Sequence, residues 1–258
     1  MINDQVRSLS HQLRLFGVHA GFERRCEQAA GQQLNHAELL RLILEDEILH
    51  RKERAAKAFQ TRAKFRIQAS LEDWDQTFDR GISKAKLREL SSLGFYQSSE
   101  NLIVLGKTGE GKTQLAVSLG RRMCAENISV LFLPVNFMFE EVLAARAAGK
   151  YLAYIKKLTQ TKAIILDDFG LRNYTHEEAN VLVDMLEDRH RKGSVIVTSQ
   201  VDPKGWKRLF EDPVIAEAIV NRLEKPGQKI SLTGGSYRDR LQSLLPPGKT
   251  LEGTKLPS

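Results

Sequence analysis

The stretch "NLIVLGKTGEGKTQLAV" (residues 101–117) decides the fold. Its first five residues hold the apolar run Leu102, Ile103, Val104 and Leu105, which reads as a buried strand, and Gln114 to Val117 open a helical pattern. Between them Gly106, four residues, then Gly111, Lys112 and Thr113 fit the pattern G-x-x-x-x-G-K-[ST]. The chemistry requires this order. Glycines let backbone N–H groups curl around phosphates, the following helix N-terminus adds positive potential, and a lysine reaches the terminal phosphates. Gly106, Lys107, Thr108, Gly109, Glu110, Gly111, Lys112 and Thr113 are therefore the expected nucleotide cradle, for ATP, with the Thr113 hydroxyl placed to ligate Mg²⁺. An ordinary glycine-rich turn would not need the strand before and the helix after.

A second half of such a site lies downstream in "AIILDDFG" (163–170). Four apolar or small residues lead to Asp167 and Asp168 at the carboxyl end of a strand, where open parallel sheets place their ligands. Asp167 fits the holding of Mg²⁺ through its water shell, and Asp168 the orienting of the attacking water. "SVIVTSQ" (194–200) ends another apolar strand in Thr198, Ser199 and Gln200. One of these could contact the γ-phosphate or the water, or the trio could be a plain strand-to-turn transition. Arg222 in "IVNRLEK" and Arg238 in "GGSYRDR" are by default surface residues. An arginine reaching a neighbour's γ-phosphate is, however, a recurrent way to stabilise transition-state charge.

Around these motifs strands and helices alternate from residue 101: "NLIVL", helix, "SVLFLP", helices, "KAIILDD", helix, "SVIVTS", helix, and last "KISLT". That alternation predicts a mostly parallel α/β sheet with helices on both faces. The chain of 258 residues, 41% hydrophobic and 28% charged, suffices for one such domain and a smaller module. Val6, Leu9, Leu13, Phe16, Phe22 and Cys26 have helical spacing, with a break expected near Gly17 and an end at Gly31. Asn35 and Glu38 form a capping pair for a further helix bearing Leu39, Leu42, Ile43 and Leu49. Residues 1–67 thus read as a small all-helical module, 68–242 as the nucleotide-binding domain with a linker, and 243–258 as a mobile tail. Within the linker, Ser70 and Asp73 suggest a helix start, Trp74 and Phe78 packing anchors, and Ser83 the cap of a helix over "KAKLRELSSL".

Formal net charge is +7, which favours nucleic acid or another anionic partner. It concentrates in Arg51, Lys52, Arg54, Lys57, Arg62, Lys64 and Arg66, opposed only by Glu53. This stretch is either a solvated helix face or a stripe that tracks DNA phosphates. No apolar run reaches membrane-spanning length, the N-terminus lacks a signal-peptide core, and no membrane partner is expected. Cys26 and Cys124 stand far apart, supporting neither a disulfide framework nor a Cys-based zinc site. His19 and Cys26 could share a helix face, but satisfied surface residues are the better account. The expected compartment is reducing bacterial cytoplasm.

Taken in order, "GKTGEGKTQLA", "AIILDDFGL", "HEEANVLVDMLEDRHRKGSVIVTSQ", "WKRLFEDPVIAEAIVNRL" and "GGSYR" resemble the IstB/DnaC-like branch of AAA+ ATPases. Within it they are most similar to the IstB-like helper ATPases of insertion sequences. "ELLRLILEDEILHRKERAAKAFQTRAKF" and "SLEDWD" extend the resemblance over the N-terminal part. It implies a P-loop AAA+ fold, with Gly106 to Thr113 as the Walker A loop and Asp167 with Asp168 as Walker B. It puts Ser199 or Gln200 at sensor 1, Arg222 at the arginine finger and Arg238 at sensor 2. Family members assemble with ATP into rings or spirals, bind DNA and regulate a transposase. Two departures stand out. Asp168 replaces the glutamate of most AAA+ proteins, one methylene shorter, so slow hydrolysis is expected unless stimulated. Gln200 replaces the asparagine of many relatives, which leaves sensor 1 open between Ser199 and Gln200.

The resemblance therefore implies an ATP-dependent, DNA-binding regulator of transposition, a homo-oligomer on double-stranded DNA that aids a transposase. The alternative is a DnaC-like helicase loader, which would prefer single-stranded DNA. A small-molecule kinase with a phosphate loop would need an acceptor pocket and no oligomer, and Arg222 and the basic stretch speak against it.

Overall fold

A computed structural model describes residues 2–189, 192–237 and 239–240. Arg238 and the tail expected over 243–258 lie outside the described residues. The chain falls into two compact units, residues up to Phe59 with Ala125–Asn127, and Gln60–Cys124 with everything from Ile128 on. Among the described residues no helix is long and apolar enough to cross a membrane.

The first unit is helical: α1 (Ile2–Gln12), α2 (Phe16–Gln32) and most of α3 (His36–Ala63). The break between α1 and α2 falls at Arg14, in the left-handed region at φ 56°, and not at Gly17. Gly17 lies inside α2 because α3 passes close by. A Cβ there would stand 2.6 Å from the Asp46 carbonyl oxygen and the Glu47 Cα. Nor does Gly31 end α2; the helix continues to Gln32 and closes on Gln33 (φ 51°), whose N–H returns to the Ala29 carbonyl. The capping pair forms as expected, Asn35 N–H donating to Glu38 at 2.9 Å and Glu38 N–H to the Asn35 side chain at 3.0 Å.

Inside this unit the buried Glu47 accepts from the Gly17 and Val18 N–H groups at 2.7 and 3.2 Å, neutralising the positive end of α2. Burial tends to raise the Glu47 carboxyl, but Arg51 and those two amides hold it below the usual range. Asp46 takes a bidentate pair from Arg25 at 2.6 and 2.8 Å. Leu49, expected on the packed face of α3, is 56% exposed, as are Leu40, Leu44 and Ile48 to similar degrees. The helical period explains this: Leu39, Leu42 and Ile43 are half-buried on one face, and Leu49 falls off it.

In the second unit α3 ends where Lys64 turns left-handed (φ 58°). No helix starts at Ser70; the segment is irregular, with a turn from Leu71 to Trp74 held by Ser70 accepting from Asp73 N–H at 3.4 Å. Ser83 does cap α4 (Lys84–Ser91), and α5 (Gly94–Gln97) follows. Then come β1 (Asn101–Leu105), α6 (Lys112–Ala125), β2 (Val130–Pro134), α7 (Val135–Ala147) and α8 (Tyr151–Gln160). β3 (Ala163–Phe169), α9 (His176–Arg189), β4 (Ser194–Ser199), α10 (Pro203–Trp206), a 3-10 turn (Lys207–Leu209), α11 (Pro213–Glu224) and β5 (Gly227–Ser231) complete the described elements. The last strand begins two residues earlier than "KISLT" suggests.

All the sheet's pairings are parallel, in the order β2-β3-β4-β1-β5. Alternating side chains feed two layers. Ile164 and Leu166 join Leu133, Met138, Met185 and Ile219 on one face. Ile165 points to the other, where α6 comes so close that a Cβ on Gly120 would lie 2.8 Å from its Cδ1. From β1 the chain crosses to β2 at the far edge, returns to β4 beside β1, then passes to β5 on β1's other side. The carboxyl end of β1 is thus the switch point of the topology, where doubly wound sheets open a ligand crevice.

Candidate nucleotide site

The loop leaves β1 anchored on both flanks: Gly106 N–H donates to the Ser199 carbonyl at 3.2 Å and Leu232 N–H to the Leu105 carbonyl at 2.7 Å. Gly109 (φ 86°) and Gly111 (φ 96°) are left-handed, and neither has room for a side chain. A Cβ on Gly109 would collide with Ser236, and one on Gly111 would sit 2.8 Å from Arg80 Nη1. Glu110 is buried and turns inward, accepting the Lys107 N–H at 2.5 Å. It shapes the loop from within.

Lys112 opens α6, 5% exposed, and one of its three donors goes to the Lys107 carbonyl at 2.9 Å. Burial lowers its ammonium, opposed by Asp168, Glu110 and Asp167, so a cation is held in the loop with carboxylates near it. Thr113 and Asp167 meet, hydroxyl to carboxylate oxygen, at 2.9 Å. Asp167 is also buried, and burial raises its carboxyl against the pull of Thr198, Thr113 and Lys112. Two neighbouring hard oxygens beside a buried lysine suit a divalent cation and the phosphates it accompanies.

Thr198 organises the acidic pair. Its hydroxyl donates to Asp167 Oδ1 at 2.6 Å and accepts the Asp168 N–H at 2.9 Å. The ladder between β3 and β4 shifts register between Leu166 and Phe169, and Asp168 adopts φ 59° there. A non-glycine residue in that region is strained by about 1 kcal/mol or more, and such strain gathers at functional sites. Alternation along β4 sends Ser199 elsewhere: its hydroxyl engages the Phe169 and Val201 carbonyls at 2.7 and 2.9 Å and accepts from Trp206 Nε1 at 3.1 Å. Gln200 returns to the loop, accepting from the Thr108 hydroxyl at 3.0 Å.

The structure brings Lys112, Thr113, Asp167, Asp168 and Gln200 together around the loop. It does not bring Arg222 there. The Arg222 carbonyl, in the last turn of α11, accepts from Asn101 at 2.8 Å, at the first residue of β1, and its guanidinium pairs with Glu187. From Asn101 to Gly106 the strand runs about 17 Å. All seven residues of the basic stretch are exposed. Arg51 pairs with Glu47 at 2.7 Å, Lys64 with Glu141 at 3.1 Å, and Arg66 lies 4.3 Å over the Phe137 ring. Arg80 is the residue whose place the sequence did not give, since its partners come from distant segments, and the structure singles out Thr198 from its trio as the one on both aspartates.

The comparisons agree over most of the chain. A family model described as IstB-like ATP binding protein matches residues 8–244. An insertion-sequence ATP-binding protein of Sinorhizobium fredii is 34% identical over 87% of this chain and 91% of its own. The ATP-binding protein of insertion sequence IS21 of Pseudomonas aeruginosa is 32% identical over 91% and 88%. One from Mycobacterium tuberculosis is 32% identical over 95% and 96%. Among solved structures, DnaI superposes with a TM-score of 0.55 at 20% identity, covering 64% of this chain and 92% of its own. AMPPCP-bound DnaA from Aquifex aeolicus superposes with 0.56 at 14%, covering 70% and 56%. At those identities the likeness establishes a P-loop AAA+ fold.

Proposed function

Because the chain belongs to the IstB-like ATP-binding family, we propose that it is an ATP-driven assembly factor which polymerises on duplex DNA and aids the transposase of an insertion sequence. The observation that carries the assembly is the position of Arg222. It stands at the amino end of the sheet while its own phosphate loop stands at the carboxyl end, so any phosphate it meets would belong to another copy. A site completed between copies ties nucleotide occupancy to assembly.

Within one such site, Lys112 would neutralise the terminal phosphates, and Thr113 with Asp167 would hold Mg²⁺. Asp168, fixed by the Thr198 hydroxyl, would orient the attacking water, and Gln200 would report on the γ-phosphate through its contact with Thr108. Ser199 would instead keep β4 tied to Trp206. The short Asp168 makes hydrolysis slow, a reset triggered by the partner. The transposase role is supported by the curated relatives, which are proteins of insertion sequences.

Electron microscopy with ATP and either duplex or single-stranded DNA tests this reading. Rings or spirals on duplex DNA are expected with ATP, and none with Lys112→Ala. Asp168→Asn should bind ATP and remain assembled, with slowed turnover. Assembly on single strands alone would support a helicase loader instead, and a monomer under every condition would overturn the reading.

A further inference from the structure

Arg80 is 1% exposed, yet its guanidinium has no carboxylate in hydrogen-bonding contact among the described residues. Its Cζ stands over the Trp74 ring, 3.3 Å from the centroid, with the Tyr237 ring 4.4 Å away. Nη1 donates to Gln114 at 2.9 Å, Nη2 reaches the Asp75 carbonyl at 3.4 Å, and the buried Nε has no partner. Burial lowers the group to about 10, so it stays charged at neutral pH. A buried cation with one unsatisfied donor is costly unless something answers it, and two aromatic faces answer only part.

Its position gives that cost a use. Nη1 closes the space behind Gly111, and Gln114 is the residue that follows Lys112 and Thr113 in the first turn of α6. The segment after β5 presses on the same loop: Tyr237 N–H donates to the Gly109 carbonyl at 3.0 Å, and Ser236 fills the space beside Gly109. The two straps are also joined to each other. Thr233 N–H donates to the Arg80 carbonyl at 2.9 Å, Phe78 lies 5.7 Å from Tyr237, and Arg240 stands 4.9 Å over Phe78. Rings and guanidinium groups thus interleave as Trp74, Arg80, Tyr237, Phe78 and Arg240, with the phosphate loop seated against the Arg80 end.

We propose that the Trp74–Arg80–Tyr237 stack is a clasp that presets the phosphate loop for nucleotide, with Arg80 as its positioning residue, so that ATP binding and the order of residues 74–80 and 233–237 are coupled. Two segments that flank the ATPase sheet in sequence meet on the loop through one side chain. Occupancy of the loop is then communicated to both. The inference rests on the loop being the ATP site, and wild-type binding tests that separately.

The experiment measures ATP affinity by equilibrium binding for wild type, Arg80→Met, Arg80→Lys and Lys112→Ala, together with tryptophan emission and thermal melting without nucleotide. Binding by wild type and its loss in Lys112→Ala support the site itself; failure there would overturn the ATP reading and the clasp with it, whereas the Arg80 and Trp74 variants test the clasp alone. The clasp predicts that Arg80→Met melts as a folded protein yet binds ATP about tenfold more weakly. Arg80→Lys should recover part of that loss. ATP should shift tryptophan emission in wild type, and Trp74→Phe should abolish the shift, leaving Trp206 silent in its buried place. Wild-type affinity in Arg80→Met, or an emission shift that survives in Trp74→Phe, overturns the proposal. Should Arg80→Met fail to fold, unchanged affinity in both Arg80→Lys and Trp74→Phe would do the same.

Discussion

Thr113 and Asp167 lie 54 residues apart, and the hydroxyl of the first donates to the carboxylate of the second at 2.9 Å. One comes from the helix after β1 and the other from the end of β3, strands separated in the sheet by β4. The contact exists because β4 carries Thr198 between them, and its hydroxyl fixes the same Oδ1 at 2.6 Å. The two halves of the nucleotide site are therefore held in register by β4, through the one residue of the Thr198–Ser199–Gln200 trio that touches both aspartates.

Thr198→Val tests that arrangement. The side chain keeps its shape and loses the hydroxyl, so Asp168 N–H is left without its acceptor and Asp167 without one donor. A buried amide deprived of its partner costs about 1–3 kcal/mol. Turnover of ATP should fall well below wild type while nucleotide affinity changes little, and Thr198→Ser should restore turnover. Steady-state hydrolysis with parallel binding measurements checks this. Normal turnover in the valine variant would show that the Asp pair needs no such support.

Arg222 acts between copies if the assembly is as proposed. Arg222→Ala should bind ATP normally as an isolated chain and lose turnover in the assembly. Removing the guanidinium also frees Glu187, a partly exposed pair of small worth, so stability should barely change. Mixed with Lys112→Ala chains, some sites would unite an intact loop with an intact Arg222 and recover activity. A co-assembled mixture without activity argues against this geometry.

How far these features could be read from sequence depends on the range of the interaction. The loop, the capping pair of Asn35 and Glu38, and the strand "SVIVTS" are local patterns, and they formed where expected. Gly17 misled because a glycine breaks a helix or lets another approach, and only the passage of Asp46 and Glu47 decides between the two. Ser70 and Asp73 have the chemistry of a helix start, but it closed a single turn. Arg80 was invisible because its meaning comes from Trp74, Gln114 and Tyr237, which nothing in their spacing brings together, and Thr198 was one of three candidates that only its contacts with Asp167 and Asp168 single out.

Asp46→Asn should weaken the first unit at neutral pH and alter its response to acid. Hydrogen bonds from Arg25 hold the Asp46 carboxyl below the usual range against the opposing effect of burial. The unfolded chain therefore takes up a proton at higher pH than the folded one. The stabilisation is full above the ordinary carboxylate range near 4 and drains away as pH falls through the depressed value. The variant should lose about 2 kcal/mol at neutral pH. Denaturant unfolding of the full chain should show this gap narrowing as pH falls below the ordinary carboxylate range near 4. A gap of constant size would mean that packing, and not charge, sets the loss.

The basic stretch yields the last prediction, sharpened by where its members stand. Phosphate contacts are independent of sequence and sensitive to salt, each steepening the log–log salt slope on duplex DNA by roughly 0.9. Arg51 and Lys64 are engaged by Glu47 and Glu141, Arg54 leans on Phe16 at 5.8 Å, and Arg66 covers Phe137. Lys52, Lys57 and Arg62 stand exposed along α3. At 3.6 residues per turn these three spread around the helix axis, so a DNA backbone in the groove of one face would not meet all of them at once. Replacing all three with Gln should flatten the slope by about 0.9 to 1.8, one unit of 0.9 for each of the one or two that make contact. Gln is close to Lys and Arg in helix propensity, so α3 should survive, and ATP binding should not change. The measurement is DNA affinity across a salt series on duplex and single-stranded probes. An unchanged slope on both would make the stretch a solvated helix face, and a loss confined to single strands would favour the helicase-loader alternative.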